Sequence, residues 1–181
     1  MKGIILWNHN NEDLEAIATK ALLTRAGYDI ISATLESTRE LDMAYQTKVK
    51  ADAFLGDVDP DDFDFLIIPG GKYVAETVNQ DVRIKHLAKT FNACGKLVAA
   101  ICAGPRFLGQ AGLLDGKRFT CFKGAEKDMP KGIYLPEEKA VTDGNIITSR
   151  SAGTVYQFVA EIITYLEGKE KSDALLKSIL Y

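Results

Sequence analysis

Two stretches of this sequence, Phe63 to Ile68 and Lys96 to Ile101, are apolar at almost every position, and each runs directly into small residues. FDFLII is followed by Pro69-Gly70-Gly71, and KLVAAI by Cys102-Ala103-Gly104. A strand with one wet face alternates apolar and polar residues, whereas a strand apolar throughout has to be covered on both faces. A parallel sheet with helices on each side provides that cover, so these two runs restrict the chain to an α/β architecture.

The remaining segments fit such a sheet. Gly3 to Trp7 reads as a first buried strand. Asn10 or Asn11 then caps a helix whose first turn carries Glu12, Asp13 and Glu15, where acidic groups suit the helix dipole. Leu14, Ile17, Ala18, Ala21 and Leu22 have helical spacing, and Gly27 ends the helix. Tyr28 to Thr34 is a second strand. Alternation at Tyr45 to Val49 and near Ala53 to Leu55 predicts a side hairpin. Val82 to Phe91 predicts a helix with Ile84, Leu87, Ala88 and Phe91 inward. A short helix follows at Pro105 to Ala111 and a short strand at Phe119 to Phe122. Ile146 to Ser149 is the last central strand, paired with Ala140 to Thr142. Helices over Thr154 to Leu166 and around Ala174 to Leu180 complete the chain. No repeat, low-complexity stretch or linker divides it. The expectation is one doubly wound α/β domain over residues 1–181, a mostly parallel sheet with helices on both faces.

Charge narrows the partners. Lys plus Arg number 22 and Asp plus Glu 25, for a net charge of -3, with no basic block. Nucleic acid and anionic membrane surfaces are therefore not expected partners. No apolar run is long enough to span a membrane, and Ile4 to Trp7 is too short for a signal-peptide core. The three cysteines, Cys94, Cys102 and Cys121, form no C-x-x-C, which points to reduced thiols and a cytoplasmic location. Two distant histidines and scattered cysteines make no metal-ligand set, and no dinucleotide or triphosphate motif occurs, so neither metal nor cofactor is expected.

In a doubly wound sheet, ligands bind outside the carboxyl ends of the strands. Those ends deliver His9, then Pro69-Gly70-Gly71, then Cys102-Ala103-Gly104, then Ser149 to Thr154. LVAAICAGP reads as strand, tight turn and helix, like a nucleophile elbow that thrusts a reactive atom into the cleft. The helix start behind Cys102 favours its thiolate. An apolar strand is equally a common place for a buried structural cysteine. Gly70 and Gly71 offer backbone N–H groups for an oxyanion hole, or simply turn the chain. Glu15 is either a solvent-facing partner of the helix dipole or a half-buried carboxyl of raised pKa that donates to a thiolate. His9 is a general base or a loop-positioning residue. Arg150 is an anion ligand or a member of a surface ion pair. His86 reads as exposed, and Cys94 and Cys121 as structural.

FDFLIIPGG, KLVAAICAGP and ITSRSAGT, in this order and together with NEDLEAIATKALLTRAGYDI, resemble the ThiJ/PfpI superfamily. The resemblance is to the branch that holds the Parkinson's-associated protein deglycase and its bacterial relatives. It implies a flavodoxin-like fold of the class I glutamine amidotransferase type, usually as a homodimer. It also implies that Cys102 is the reactive, oxidation-prone cysteine on the elbow, and that Glu15 is a protonated glutamate bonded to its sulfur. Gly70, Gly71 and Ala103 match positions whose N–H groups surround the nucleophile, and Arg150 and Ser151 match residues at the pocket mouth. Two departures stand out. Many members place a histidine beside the cysteine, where this chain has Phe122, and the arginine often found in the side hairpin is absent from AYQTKVK.

The expected function is glyoxalase- or deglycase-like action on a small reactive carbonyl or a carbonyl-modified protein. Cys102 would be the nucleophile and Glu15 the acid–base group. One alternative is an oxidative-stress sensor or chaperone working through oxidation of Cys102. Another is an intracellular amidase or peptidase, which requires a base such as His9 within reach of the sulfur.

Overall fold

A computed structural model describes residues 1–181. In chain order the strands are β1 (Lys2–Leu6), β2 (Asp29–Thr34), β3 (Glu40–Asp42), β4 (Lys48–Lys50), β5 (Ala53–Phe54), β6 (Phe65–Ile68), β7 (Leu97–Ile101), β8 (Arg118–Phe119), β9 (Ile133–Tyr134), β10 (Ala140–Asp143) and β11 (Ile146–Ser149). The helices are α1 (Asp13–Arg25), α2 (Lys72–Thr77), α3 (Arg83–Ala93), α4 (Pro105–Gln110), α5 (Val155–Glu167) and α6 (Lys169–Ser178).

Seven strands form the central sheet in the order β10-β11-β7-β6-β1-β2-β5. All pairings are parallel except β10 with β11. The apolar runs are explained by which way their side chains point. Ile4, Leu6, Leu66, Ile68, Val98 and Ala100 belong to one buried cluster with α3 and α4 residues such as Phe91 and Phe107. Ile5, Phe65, Ile67, Leu97, Ala99 and Ile101 belong to the other, with Phe158, Val159 and Ile162 of α5. Alternate residues thus serve opposite cores, and neither face of the inner strands reaches water. The fold is the expected flavodoxin-like α/β arrangement.

The strand register sets the level of the sheet's carboxyl edge. Ile101 lies opposite Ser149, and Ile68 opposite Ala100. The segments after β6, β7 and β11 therefore emerge side by side. Chain direction switches between β1 and β6, since β1 leads outward to β2 while β6 leads to β7 on its other side. That is the crevice where doubly wound sheets bind ligands.

Several local elements differ from the sequence expectation. The apolar stripe expected on α1 is rotated. Glu15, Ala16, Thr19 and Leu23 are buried, while Leu14 is 50% exposed. The side hairpin pairs β3 with β4, and Tyr45 sits in its turn. Asp13 sets that turn by accepting the N–H groups of Tyr45 at 2.8 Å and Thr47 at 3.2 Å. Ala53–Phe54 is not part of the hairpin but an edge strand beside β2. The Phe119 to Phe122 strand shortens to β8, which pairs only with β9, and the final helix begins earlier, at Lys169.

Candidate active site

Cys102 follows β7 with φ of 63°, in the left-handed region that a side chain with a Cβ seldom occupies. The main chain holds it there from both sides. Its N–H donates to Ser149 O at 2.9 Å, and its carbonyl accepts the Phe122 N–H at 2.8 Å. Small residues are required around the turn. A Cβ on Gly104 would stand 2.5 Å from Ile68 O and 2.9 Å from Ile101 O. The result is a strained strand-to-helix turn that presents one sulfur at the sheet edge.

Glu15 reaches this sulfur from α1. It is 0% exposed. Its Oε2 accepts the Gly70 N–H at 2.9 Å, while Oε1 is buried with no conventional hydrogen-bond partner. The Cys102 side chain and the Ala152 N–H are the other polar groups at the carboxyl. Burial pushes Glu15 up to about 7, and the nearby Glu12 adds to the rise, against the lowering pull of these hydrogen bonds. Glu12 caps α1 by accepting the Glu15 N–H at 2.7 Å, and its own pKa is raised by burial.

The thiol differs from expectation. Burial is the largest influence and pushes Cys102 up, and a charged Glu15 pushes it further; the Ala103 N–H opposes both. The helix behind the turn is only the six residues of α4. Its start does not outweigh removal of the sulfur from water. Cys102 and Glu15 are therefore an interacting pair in which the carboxyl ionises first and its charge opposes ionisation of the thiol.

The backbone donors divide. The Gly70 N–H is committed to Glu15 and is not free for a substrate oxygen, which corrects its expected place in an oxyanion hole. The Gly71 and Ala103 N–H groups donate to no backbone acceptor, and that of Ala103 points to the Cys102 sulfur. Gly71 has φ of 106°, and a Cβ there would lie 2.4 Å from Asn10 O. Glycine is thus the residue that lets the loops after β1 and β6 meet.

His9 lies elsewhere. Its Nδ1 accepts the Asp42 N–H at 3.0 Å, and it lines a separate cavity of about 580 Å³ against the β3–β4 hairpin. The His9 ring thus bonds to the hairpin, as the loop-positioning alternative expects. Phe122, Arg150 and Ser151 come together in another cavity, of about 460 Å³, with Tyr134 and Pro136. Arg150 there forms no ion pair; its Nη1 donates to the carbonyls of Pro136 at 3.3 Å and Glu137 at 3.4 Å. Cys121 is buried and Cys94 exposed. No grouping of three or more His, Cys, Asp or Glu could hold a metal ion. No helix is long and apolar enough to cross a membrane.

Sheet order, strained cysteine and buried carboxyl define a flavodoxin-like α/β protein with a cysteine–glutamate pair at the carboxyl edge of its sheet. Residues 1–165 match the DJ-1/PfpI family, and the chain belongs to that family. It is 34% identical over 177 residues to the Caenorhabditis elegans protein named glutathione-independent glyoxalase DJR-1.2, covering 97% of this chain and 94% of that one. It is 35% identical over 174 residues to protein DJ-1 homolog A of Arabidopsis thaliana, covering 95% of this chain but 44% of that protein's length. The crystal structure of Drosophila melanogaster DJ-1beta superposes with a TM-score of 0.91 at 29% identity, over 99% of this chain and 97% of that one.

Proposed function

We propose that this protein converts small 2-oxoaldehydes into 2-hydroxy acids, with Cys102 as nucleophile and Glu15 as acid–base group. The observation that carries the reading is the fully buried Glu15, held by Gly70 against Cys102 with Oε1 unpartnered. A carboxyl poised near neutrality both takes and returns a proton at low cost. The similarity to a protein named as a glutathione-independent glyoxalase supports the same chemistry.

The steps balance without an outside oxidant. Glu15 takes the thiol proton and passes it to the aldehyde oxygen as the Cys102 sulfur adds to the aldehyde carbon, giving a neutral hemithioacetal whose hydroxyl oxygen faces the Ala103 N–H and leaving Glu15 ionised. Glu15 then moves the proton of that carbon to the neighbouring keto carbon through an enediol, producing the thioester of a 2-hydroxy acid. Water cleaves the thioester, releasing the acid and restoring the thiol. One carbon is oxidised and its neighbour reduced by the same electron pair. The bond from the Asp42 N–H to His9 Nδ1 occupies the nitrogen an amidase or peptidase base would offer, which favours the present reading.

The test is formation of lactate from methylglyoxal without glutathione. Cys102→Ser and Glu15→Gln are each expected to abolish it, and retained turnover in Cys102→Ser defeats the mechanism. A homodimer belongs to the same reading. Leu14 at 50% and Tyr45 at 71% exposure lie on neighbouring parts of α1 and the hairpin turn, apolar surface that a second copy would cover. Sedimentation velocity of Leu14→Lys against the unaltered chain tests it, with dissociation expected.

A further inference from the structure

The cavity beside the elbow contains a feature that the proton chemistry of Cys102 and Glu15 does not use. Phe122 is 53% exposed, although its backbone N–H is fixed on the Cys102 carbonyl at 2.8 Å. A large aromatic ring is thus held half in water at a rigid point, immediately next to the reactive turn. Tyr134 and Pro136 line the same cavity of about 460 Å³, whose rim carries the charged Lys123, Glu126 and Glu137. Arg150 fastens the Pro136–Glu137 segment by its two carbonyl contacts, which gives the cavity a set far wall. Ser151, at the remaining side, precedes Ala152, whose N–H faces Glu15. The cavity is thus tied to the pair through the main chain, at Phe122 on the Cys102 carbonyl and at Ser151 beside Ala152, and it carries an exposed aromatic shelf. Methylglyoxal, with a single methyl group, would leave that shelf wet.

We infer that the cavity at Phe122 receives a bulky apolar substituent, aryl or branched alkyl, on the keto carbon of the 2-oxoaldehyde. The inference rests on the glyoxalase reading and names its substrate class. An apolar group laid against Phe122 and Tyr134 removes two facing surfaces from water, and aromatic rings add offset or edge contacts. The residues that distinguish substrates are then separate from the residues that move protons.

Phenylglyoxal and its product mandelate are the probes, with methylglyoxal and lactate as the small counterparts. The chain is expected to favour phenylglyoxal in kcat/KM by about tenfold, and Phe122→Ala to remove most of that preference. Phe122→Leu, which keeps an apolar side chain, is expected to retain part of it. A preference that stays within about twofold of the unaltered chain's in Phe122→Ala overturns the inference. A binding measurement separates this failure from failure of the activity. Calorimetry on Cys102→Ser is expected to show mandelate binding about tenfold tighter than lactate, with the margin lost when Phe122→Ala is added. That margin with no turnover of either aldehyde would retain the substituent site and defeat the activity. Turnover with no such margin would retain the activity and defeat the site.

Discussion

Gly70 donates its backbone N–H to Glu15 Oε2 at 2.9 Å, across 55 residues of chain. The contact is possible because Gly70 has no side chain. A Cβ there would stand 2.7 Å from Glu15 Oε2, 2.8 Å from Cys102 Cβ and 2.9 Å from the Ala103 nitrogen. One methyl group would press on carboxyl, nucleophile and backbone donor together. Gly70→Ala is expected to lower kcat/KM more than tenfold, since misplacing reacting groups by about 1 Å costs on the order of a hundredfold. Overpacking should cost only about 1–3 kcal/mol in urea unfolding. Activity falling merely in step with stability would contradict this account.

Burial of Glu15 also makes stability depend on pH. Its folded pKa of about 7 lies above the unfolded value of about 4.3, so the folded state binds the proton more tightly. The corresponding stability is fully present below the unfolded value and is lost as pH rises through about 7. Glu15→Gln removes the titration. Its unfolding free energy should vary less between pH 4 and 8 than that of the unaltered chain, by on the order of 3 kcal/mol. Parallel pH profiles for the two proteins would show that Glu15 ionises normally.

Alkylation of Cys102 reports the other half of the pair. The carboxyl ionises near neutrality, and its charge holds the thiol higher still. Glu15→Gln removes that charge and leaves burial as the main influence on the thiol. The midpoint of iodoacetamide reactivity should therefore move downward in Glu15→Gln, measured with Cys94 and Cys121 replaced by Ser. An upward shift would mean that Glu15 promotes the thiolate instead of opposing it.

The backbone at Cys102 supplies a test without chemistry. Left-handed φ costs a non-glycine residue about 1–2 kcal/mol. Ordinarily glycine is less stable than alanine in a folded chain. Here, with φ at 63°, Cys102→Gly should be more stable than Cys102→Ala by about 1 kcal/mol in denaturant unfolding. Alanine the more stable of the two would show that the turn relaxes out of this conformation.

The order of apolar strands and helices was readable because alternate side chains of β6 and β7 feed two cores, and that demand leaves no polar position in the sequence. The inward face of α1 was not. Leu14 and Ala21 have the spacing of a core stripe, yet Glu15 and Thr19 occupy the buried side. A helix that must aim a carboxyl at a distant sulfur sacrifices its apolar regularity, and local spacing cannot reveal the partner that compensates it. Cys102 was legible from the small residues crowding its turn. Which N–H groups remain available there was not, since Gly70 and Gly71 look alike in sequence and only the fold commits one of them to Glu15. The role of His9 depended on the hairpin register, which weak alternation around Tyr45 placed a few residues late.

Cys102 hangs between two neighbours by its own peptide groups, with its N–H on Ser149 O and its carbonyl under the Phe122 N–H. A change of charge at the sulfur alters the polarity of that short relay, while the turn itself has little room to move. The amide of Phe122 is therefore a built-in reporter, 20 positions along the chain but one hydrogen bond from the reacting residue. Its solvent-exchange rate and chemical shift should follow the charge and covalent state of Cys102, allowing the elbow to be observed from a residue that takes no part in bond making.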